Sequence, residues 1–219
     1  MGEGSELVPT GQIVPKSHQT AAIARNTRMS AGGYVPHLSI DEVLRLVQAV
    51  KDTSKAKYQT RNALLVKTLF DGCLRCSEAL SIRPMDIVET PDDCRVRILG
   101  KGNKYREVAI SRSLVADLHS YAGVAGISKS GHFWPIKRRR VHQMIARAME
   151  YAGIRKPDHV GAVHLMRHTG AIERMKVTGN PKSVQDQLGH SDAGMTLRYM
   201  KTLQRDESLK IQGEVDFRW

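Results

Sequence analysis

From Ser39 onward the apolar positions fall three and four residues apart, and Ile40, Val43, Leu44, Val47 and Val50 share one helical face. Ser-Ile-Asp-Glu at 39–42 is a capping box: the Ser39 hydroxyl can accept from the Glu42 amide while the Glu42 carboxylate accepts from the Ser39 amide. A second helix is predicted over 57–71, its stripe carried by Leu64, Leu65, Thr68 and Leu69 until Gly72 interrupts, and a short third over 76–82. Between 83 and 110 the period changes. In CRVRIL and YREVAI β-branched residues alternate with charged ones across the turn-forming GKGN, which predicts a β-hairpin, with MDIV as a candidate third strand.

Helical spacing returns over 113–123 and 138–152, the latter ended by Gly153. It continues over 164–177 up to Gly179. Asn180 then caps a helix with Pro181 in its first position and Gly189 just past its end, and a last helix is expected over 192–202. Residues 1–37 show neither period, are rich in Gly, Pro, Ser and Thr, and end in GGYVP, so they read as a flexible arm or linker. Residues 203–219 form an amphiphilic tail carrying Leu203, Leu209, Ile211, Val215, Phe217 and Trp219. The expected fold is mainly α with a small antiparallel β-sheet, an α+β domain over 38–202.

Composition adds a partner to this outline. With 34 Lys+Arg against 22 Asp+Glu, the 219 residues carry a formal charge of +12, which points to a polyanion. Three cysteines, Cys73, Cys76 and Cys94, are too few and odd in number for a disulfide framework and suggest a reducing, cytoplasmic setting. No run of about 18 apolar residues is present, so a membrane partner is not expected. From Leu118 to Met149 there is no carboxylate, yet Lys129, Lys137, Arg138, Arg139, Arg140 and Arg147 are all there. One such run on its own is usually a solvated helix start. Cations in a first turn also oppose the helix dipole, a cost that phosphates would remove, so this stretch is a candidate DNA-binding face.

His164 and Arg167 lie three apart on one helical face, a spacing too common to mean much alone. The joint arrangement is specific. DGCLRCSEALSI, then GKGNKYREVAI, then HLMRHT, then QLGHSD with the Tyr of TLRYM nine residues after its His, resembles the tyrosine recombinase (phage integrase) family in order and spacing. The resemblance implies a catalytic domain of the tyrosine recombinase/type IB topoisomerase type that cleaves and rejoins DNA as a site-specific recombinase. It implies no metal, no ATP and no other cofactor, double-stranded DNA as partner, a nucleoid location, and assembly into a homo-tetramer on DNA.

Position by position, the resemblance makes Arg75 and Arg167 the pair gripping the non-bridging oxygens of the scissile phosphate, a task suited to a planar, always charged, bidentate group. His164 and His190 would add hydrogen bonds and proton management around that phosphate. Lys101 would be the acid for the leaving 5′ oxygen, with Lys104 a rival and otherwise a DNA contact. Tyr199 would be the nucleophile, and Glu78, one helical step from Arg75, would orient that guanidinium. Gly170 departs from the bulky residue many relatives carry after R-H-T. The family commonly has a further N-terminal helical domain, for which the first 37 residues leave no room, so a minimal enzyme, a fragment and a degenerate copy all stay open. Three alternatives stand beside this reading. They are a non-catalytic basic DNA-binding protein, a type IB topoisomerase, disfavoured by His164 and the LGH signature, and a zinc module on Cys73 and Cys76, which lacks a second ligand pair.

Overall fold

The computed structural model describes residues 33–99, 105–157, 159–189 and 194–214. Among them α1 spans Ile40–Asp52, a 3-10 turn Ala56–Tyr58 leads into α2 at Gln59–Asp71, and α3 is the short Cys76–Leu80. Strands β1 (Ile87–Glu89), β2 (Cys94–Leu99) and β3 (Tyr105–Ala109) follow. The rest is helical: α4 is Arg112–Ala125, α5 Arg138–Tyr151, α6 Ala162–Thr178, α7 Pro181–Leu188 and α8 Gly194–Gly213. The mainly helical fold with a small antiparallel sheet is thus the observed one. No described helix is long and apolar enough to cross a membrane.

Local chemistry sets most of these boundaries. At the start of α1 the Ser39 Oγ accepts from the Glu42 amide at 3.2 Å and Glu42 Oε2 accepts from the Ser39 amide at 2.7 Å, closing the capping box. Asn180 Oδ1 accepts from the Ser183 amide to open α7, and the left-handed Gly189 ends it. In the sheet, β1, β2 and β3 pair antiparallel in that order, with Val96 opposite both Ile87 and Val108. Cys94, Val96 and Ile98 point into the core, while Arg95 and Arg97 face outward towards Glu107. Of MDIV, Ile87 and Val88 join Glu89 in the third strand, while Met85 and Asp86 lie in a 3-10 turn over Pro84–Asp86.

Three features differ from the sequence reading. The buried face of α1 is Val43, Leu46, Ala49 and Val50, whereas Ile40 and Leu44 of the expected stripe are exposed. The apolar arc of this helix is broad, and the packing of α1 against α2 and α5 selects which part of it is covered. Residues 34–37, assigned to the linker, are buried along with Leu38: the Val35 amide donates to Thr202 Oγ1 at 2.9 Å and the Leu38 amide to Thr169 Oγ1 at 3.0 Å. They form a strap across α6 and α8. Finally, α8 does not stop at Thr202 but continues to Gly213, with Leu203 packed inward and Leu209 and Ile211 exposed.

The main core is assembled from α1 to α6 and the sheet, and a smaller one lies under α8, where Val35, Cys73, Ile172, Met175, Leu188 and Tyr199 meet. A polar knot joins the two. Arg174 donates to the Asp71 carbonyl at 2.7 Å and to Asp71 Oδ1 at 2.9 Å, and Asp71 Oδ2 accepts from both the amide and the hydroxyl of Ser111. Gln187 accepts from the Ala109 amide and donates to the Ala109 carbonyl. The end of α2, the end of β3, α6 and α7 are held at one point, from which the 72–75 loop departs.

Candidate active site

That loop makes a tight, left-handed step at Cys73, with φ +50, and presents Arg75 as the residue before α3. Glu78, in the first turn of α3, turns back: its Oε2 accepts from the Arg75 amide and its Oε1 from Arg75 Nη1, both at 2.8 Å. Two more arginines converge on the same carboxylate. Arg106 of β3 donates through Nη1 at 3.0 Å and Nη2 at 3.3 Å, and Arg167 Nη1 of α6 lies 3.8 Å from Oε2. Burial alone would push the Glu78 carboxyl up, but the hydrogen bonds from Arg106 and from Arg75 outweigh it and hold the group below the usual carboxylate range. Glu78 is therefore a fixed negative charge that anchors three positive ones.

Arg167 is almost fully buried, and its guanidinium donates to the Cys73 carbonyl at 2.6 Å and the Leu188 carbonyl at 2.8 Å. Burial, helped by repulsion from Arg75, pushes it down to about 10, which still leaves it charged at neutral pH. Half-exposed Arg75 forms the outer rim of the same cationic notch. Such a pair of guanidiniums, one rigid and one accessible, fits a tetrahedral oxyanion.

One turn apart on α6, His164 and His168 lie with ring centroids 6.4 Å apart and their planes tilted by 31°. His164 is pushed below the ordinary imidazole range, first by partial burial and then by the charges of Arg167 and Arg138. His168 Nδ1 is 2.9 Å from the Tyr199 hydroxyl. Tyr199, from α8, is 0 % exposed, and burial pushes its phenol up to about 12, against the opposing pull of the Arg167 and Arg75 charges. A phenol so placed stays protonated at neutral pH unless a neighbour takes its proton, and the imidazole in contact with it is His168.

Of the residues the sequence singles out, Arg75, Glu78, His164, Arg167 and Tyr199 come together from α3, α6, α8 and the loop before α3. Lys101, Lys104 and His190 lie outside the described residues. Lys137, Arg138, Arg139, Arg140 and Arg147 are all exposed at or on α5. Arg138 is near enough for its charge to act on His164 and Cys76. Sequence reasoning passed over Arg106 and His168. Arg106 shares the inward side of β3 with buried Val108, and an arginine on that side of a strand calls for a carboxylate partner. His168 is four residues from His164, on the same helical face. The cysteines are free and buried, burial raising Cys73 to about 11, and no cluster of three or more potential ligands for a metal ion occurs among the described residues.

Comparison with known proteins adds the following. Residues 36–205 match the phage integrase family. Tyrosine recombinase XerH of Campylobacter jejuni is 30% identical over 184 residues, covering 81% of this chain and 51% of that protein. Tyrosine recombinase XerC of Xanthomonas axonopodis pv. citri is 31% identical over 168 residues, covering 74% and 52%. Among solved structures, a XerH site-specific recombinase bound to palindromic difH substrate in a post-cleavage complex superimposes with TM-score 0.69 at 25% identity, over 86% of this chain and 57% of that one. The catalytic domain of bacteriophage HP1 integrase gives 0.59 at 24% identity, over 80% and 93%. The chain spans about half the length of the curated relatives it matches.

Proposed function

The chain belongs to the phage integrase family, and on that footing we propose that it is the catalytic part of a site-specific recombinase acting on double-stranded DNA. In this reading the Tyr199 oxygen attacks the scissile phosphorus, the bond from phosphorus to the 5′ oxygen breaks, and a 3′-phosphotyrosyl link forms. The phenolic proton passes to His168, and the leaving 5′ oxygen takes a proton from Lys101. Arg75 and Arg167 hold the non-bridging oxygens as charge builds on them, with Glu78 and Arg106 fixing the Arg75 rim. His164 and His190 donate to the same phosphate. Since the ester energy is kept in the phosphotyrosine, a 5′ hydroxyl from another strand can reverse the step without any external energy source.

The observation that carries this reading is the convergence of Arg75 and Arg167 on Glu78 beside a phenol whose hydroxyl touches an imidazole. It also favours catalysis over simple DNA binding, because phosphate contacts alone would not call for a tyrosine buried among arginines. For the C-terminal tail, the first turn past Thr202 is held in cis, Arg205 lying 5.1 Å from the Tyr34 ring and Asp206 3.4 Å from His37 Nε2. The exposed Leu209 and Ile211 beyond it would meet a neighbouring protomer in a tetramer on DNA.

Tyr199→Phe removes one oxygen and almost no packing surface. It should keep DNA affinity while abolishing covalent protein–DNA adducts on a nicked suicide duplex, with chelators leaving the wild-type yield unchanged. Undiminished adducts in the variant would sink the nucleophile assignment.

A further inference from the structure

A second basic surface lies apart from the Arg75–Arg167 notch. Between the turn after α1 and the flank of α5 is a cleft of about 560 Å³ walled by Lys55, Lys57, Arg61, Arg140 and Arg147, with Tyr58 among them and no carboxylate in its lining. Three lysines elsewhere on the surface have acidic partners: Lys67 meets Asp117, Lys176 meets Glu173 and Lys182 meets Asp186. Here five cations face one space without one.

The cleft is also built rather than incidental. The Arg61 guanidinium lies 4.3 Å from the Tyr58 ring centroid, with Lys57 Nζ 5.0 Å from the same ring. Arg61 Nε and Nη2 donate to Asn62 Oδ1 at 3.0 and 2.9 Å, and Asn62 Nδ2 donates to Ser54 Oγ at 2.9 Å. The buried Trp134 indole donates to the Arg61 carbonyl at 2.9 Å, tying this wall to the core. Mutual repulsion of cations held so close is relieved by a bound polyanion.

We propose that this cleft seats a backbone phosphate of DNA a few nucleotides away from the phosphate gripped by Arg75 and Arg167, and so sets the register of the duplex. The inference rests on DNA being the partner, as proposed above. Helix α5 connects the two places: Arg138 in its first turn acts on His164, while Arg147 lies nine residues on, roughly 13 Å along the axis at 1.5 Å per residue and half a turn round it, on the face it shares with Arg140. That reach corresponds to a few phosphates, at about 3.4 Å of duplex axis each. A backbone contact of this kind positions the protein without reading sequence.

The test is the salt dependence of affinity for a random-sequence duplex of about thirty base pairs, a length that covers the protein. Lys55→Ala/Lys57→Ala should lower the slope of log K against log salt by about 1 to 2, since each phosphate that the protein ceases to neutralise reduces it by ~0.9. Arg147→Gln, from the opposite wall, should lower it by about 1. Lys67→Ala/Lys176→Ala, which removes the same charge from acid-paired positions, should leave the slope within error of wild type. Equal slopes in cleft and control variants would overturn the proposal. So would saturable binding of inorganic phosphate that the cleft variants abolish while their DNA slope stays at the wild-type value. Adducts on the nicked duplex are scored separately: their absence in the wild-type protein counts against the recombinase reading, whereas the slopes judge the cleft in either case.

Discussion

Gly170 has no room for a side chain. A β-carbon there would lie 2.1 Å from the Phe70 carbonyl oxygen and 2.9 Å from Cys73 Sγ, so α6 can approach the end of α2 this closely only because the position is glycine. The departure from bulkier relatives is thus a packing solution rather than damage. Gly170→Ala should destabilise the fold by about 3 kcal/mol, the upper end of overpacking costs, since the obstacle is backbone and cannot rotate away; urea unfolding measures it. His164 gives a pH prediction. Its imidazole is held below the unfolded value of about 6.5, so the unfolded chain takes up the proton first as pH falls. The contribution of the neutral ring is present above that value and is lost below it. Urea midpoints should therefore drop between pH 7 and pH 5.5 by more in the wild-type protein than in His164→Gln, and equal drops would refute the assignment. Side chains within one short motif were legible from order and spacing, as Arg75, Glu78, His164 and Arg167 show. Arg106 and His168 were not, because their partners Glu78 and Tyr199 sit on other elements and only packing brings them together.

Elements with their own punctuation were read correctly: the capping box before α1, Asn180 and Gly189 around α7, and the alternation of β2 and β3. Those whose limits depend on a neighbour were not. The strap at 34–38 has no period because it crosses α6 and α8 outside any helix or strand, its Val35 and Leu38 amides satisfied by the hydroxyls of Thr202 and Thr169 instead of by a ladder. Thr202 Oγ1 both accepts from the Val35 amide and donates to the Arg198 carbonyl. Thr202→Val keeps the shape, removes that acceptor and leaves a buried amide unpaired, at a cost of ~1–3 kcal/mol. Thr202→Ser, which retains the hydroxyl, should lose much less, and thermal unfolding of the pair separates the hydrogen bond from the methyl.

At the level of the entire chain, the charge of +12 pointed to a polyanion before any motif was considered, and the basic flank of α5 is where much of it is displayed. The tail divides at Asp206. Deleting residues 207–219 should leave stability and single-site DNA binding near wild type while reducing strand exchange between sites, whereas deleting 205–219 should also lower the unfolding midpoint by removing the Arg205 and Asp206 contacts to the strap. Unimpaired exchange in the shorter deletion would mean that Leu209 and Ile211 meet no neighbour.

Because α8 is one unbroken helix pinned to the strap at Thr202, it would act as a lever about that point once the Arg205 and Asp206 contacts beyond it let go. Gly213 is eleven residues beyond that pin, about 16 Å at 1.5 Å per residue, and Tyr199 three residues before it, about 4.5 Å. Swinging the far end by about 3 Å would shift the phenol by less than about 1 Å, and a force applied at the far end would reach Tyr199 multiplied nearly fourfold. A weak contact on the outermost turn would in this way be geared down into a small, forceful adjustment of the one oxygen that, in the proposed reaction, aligns with phosphorus.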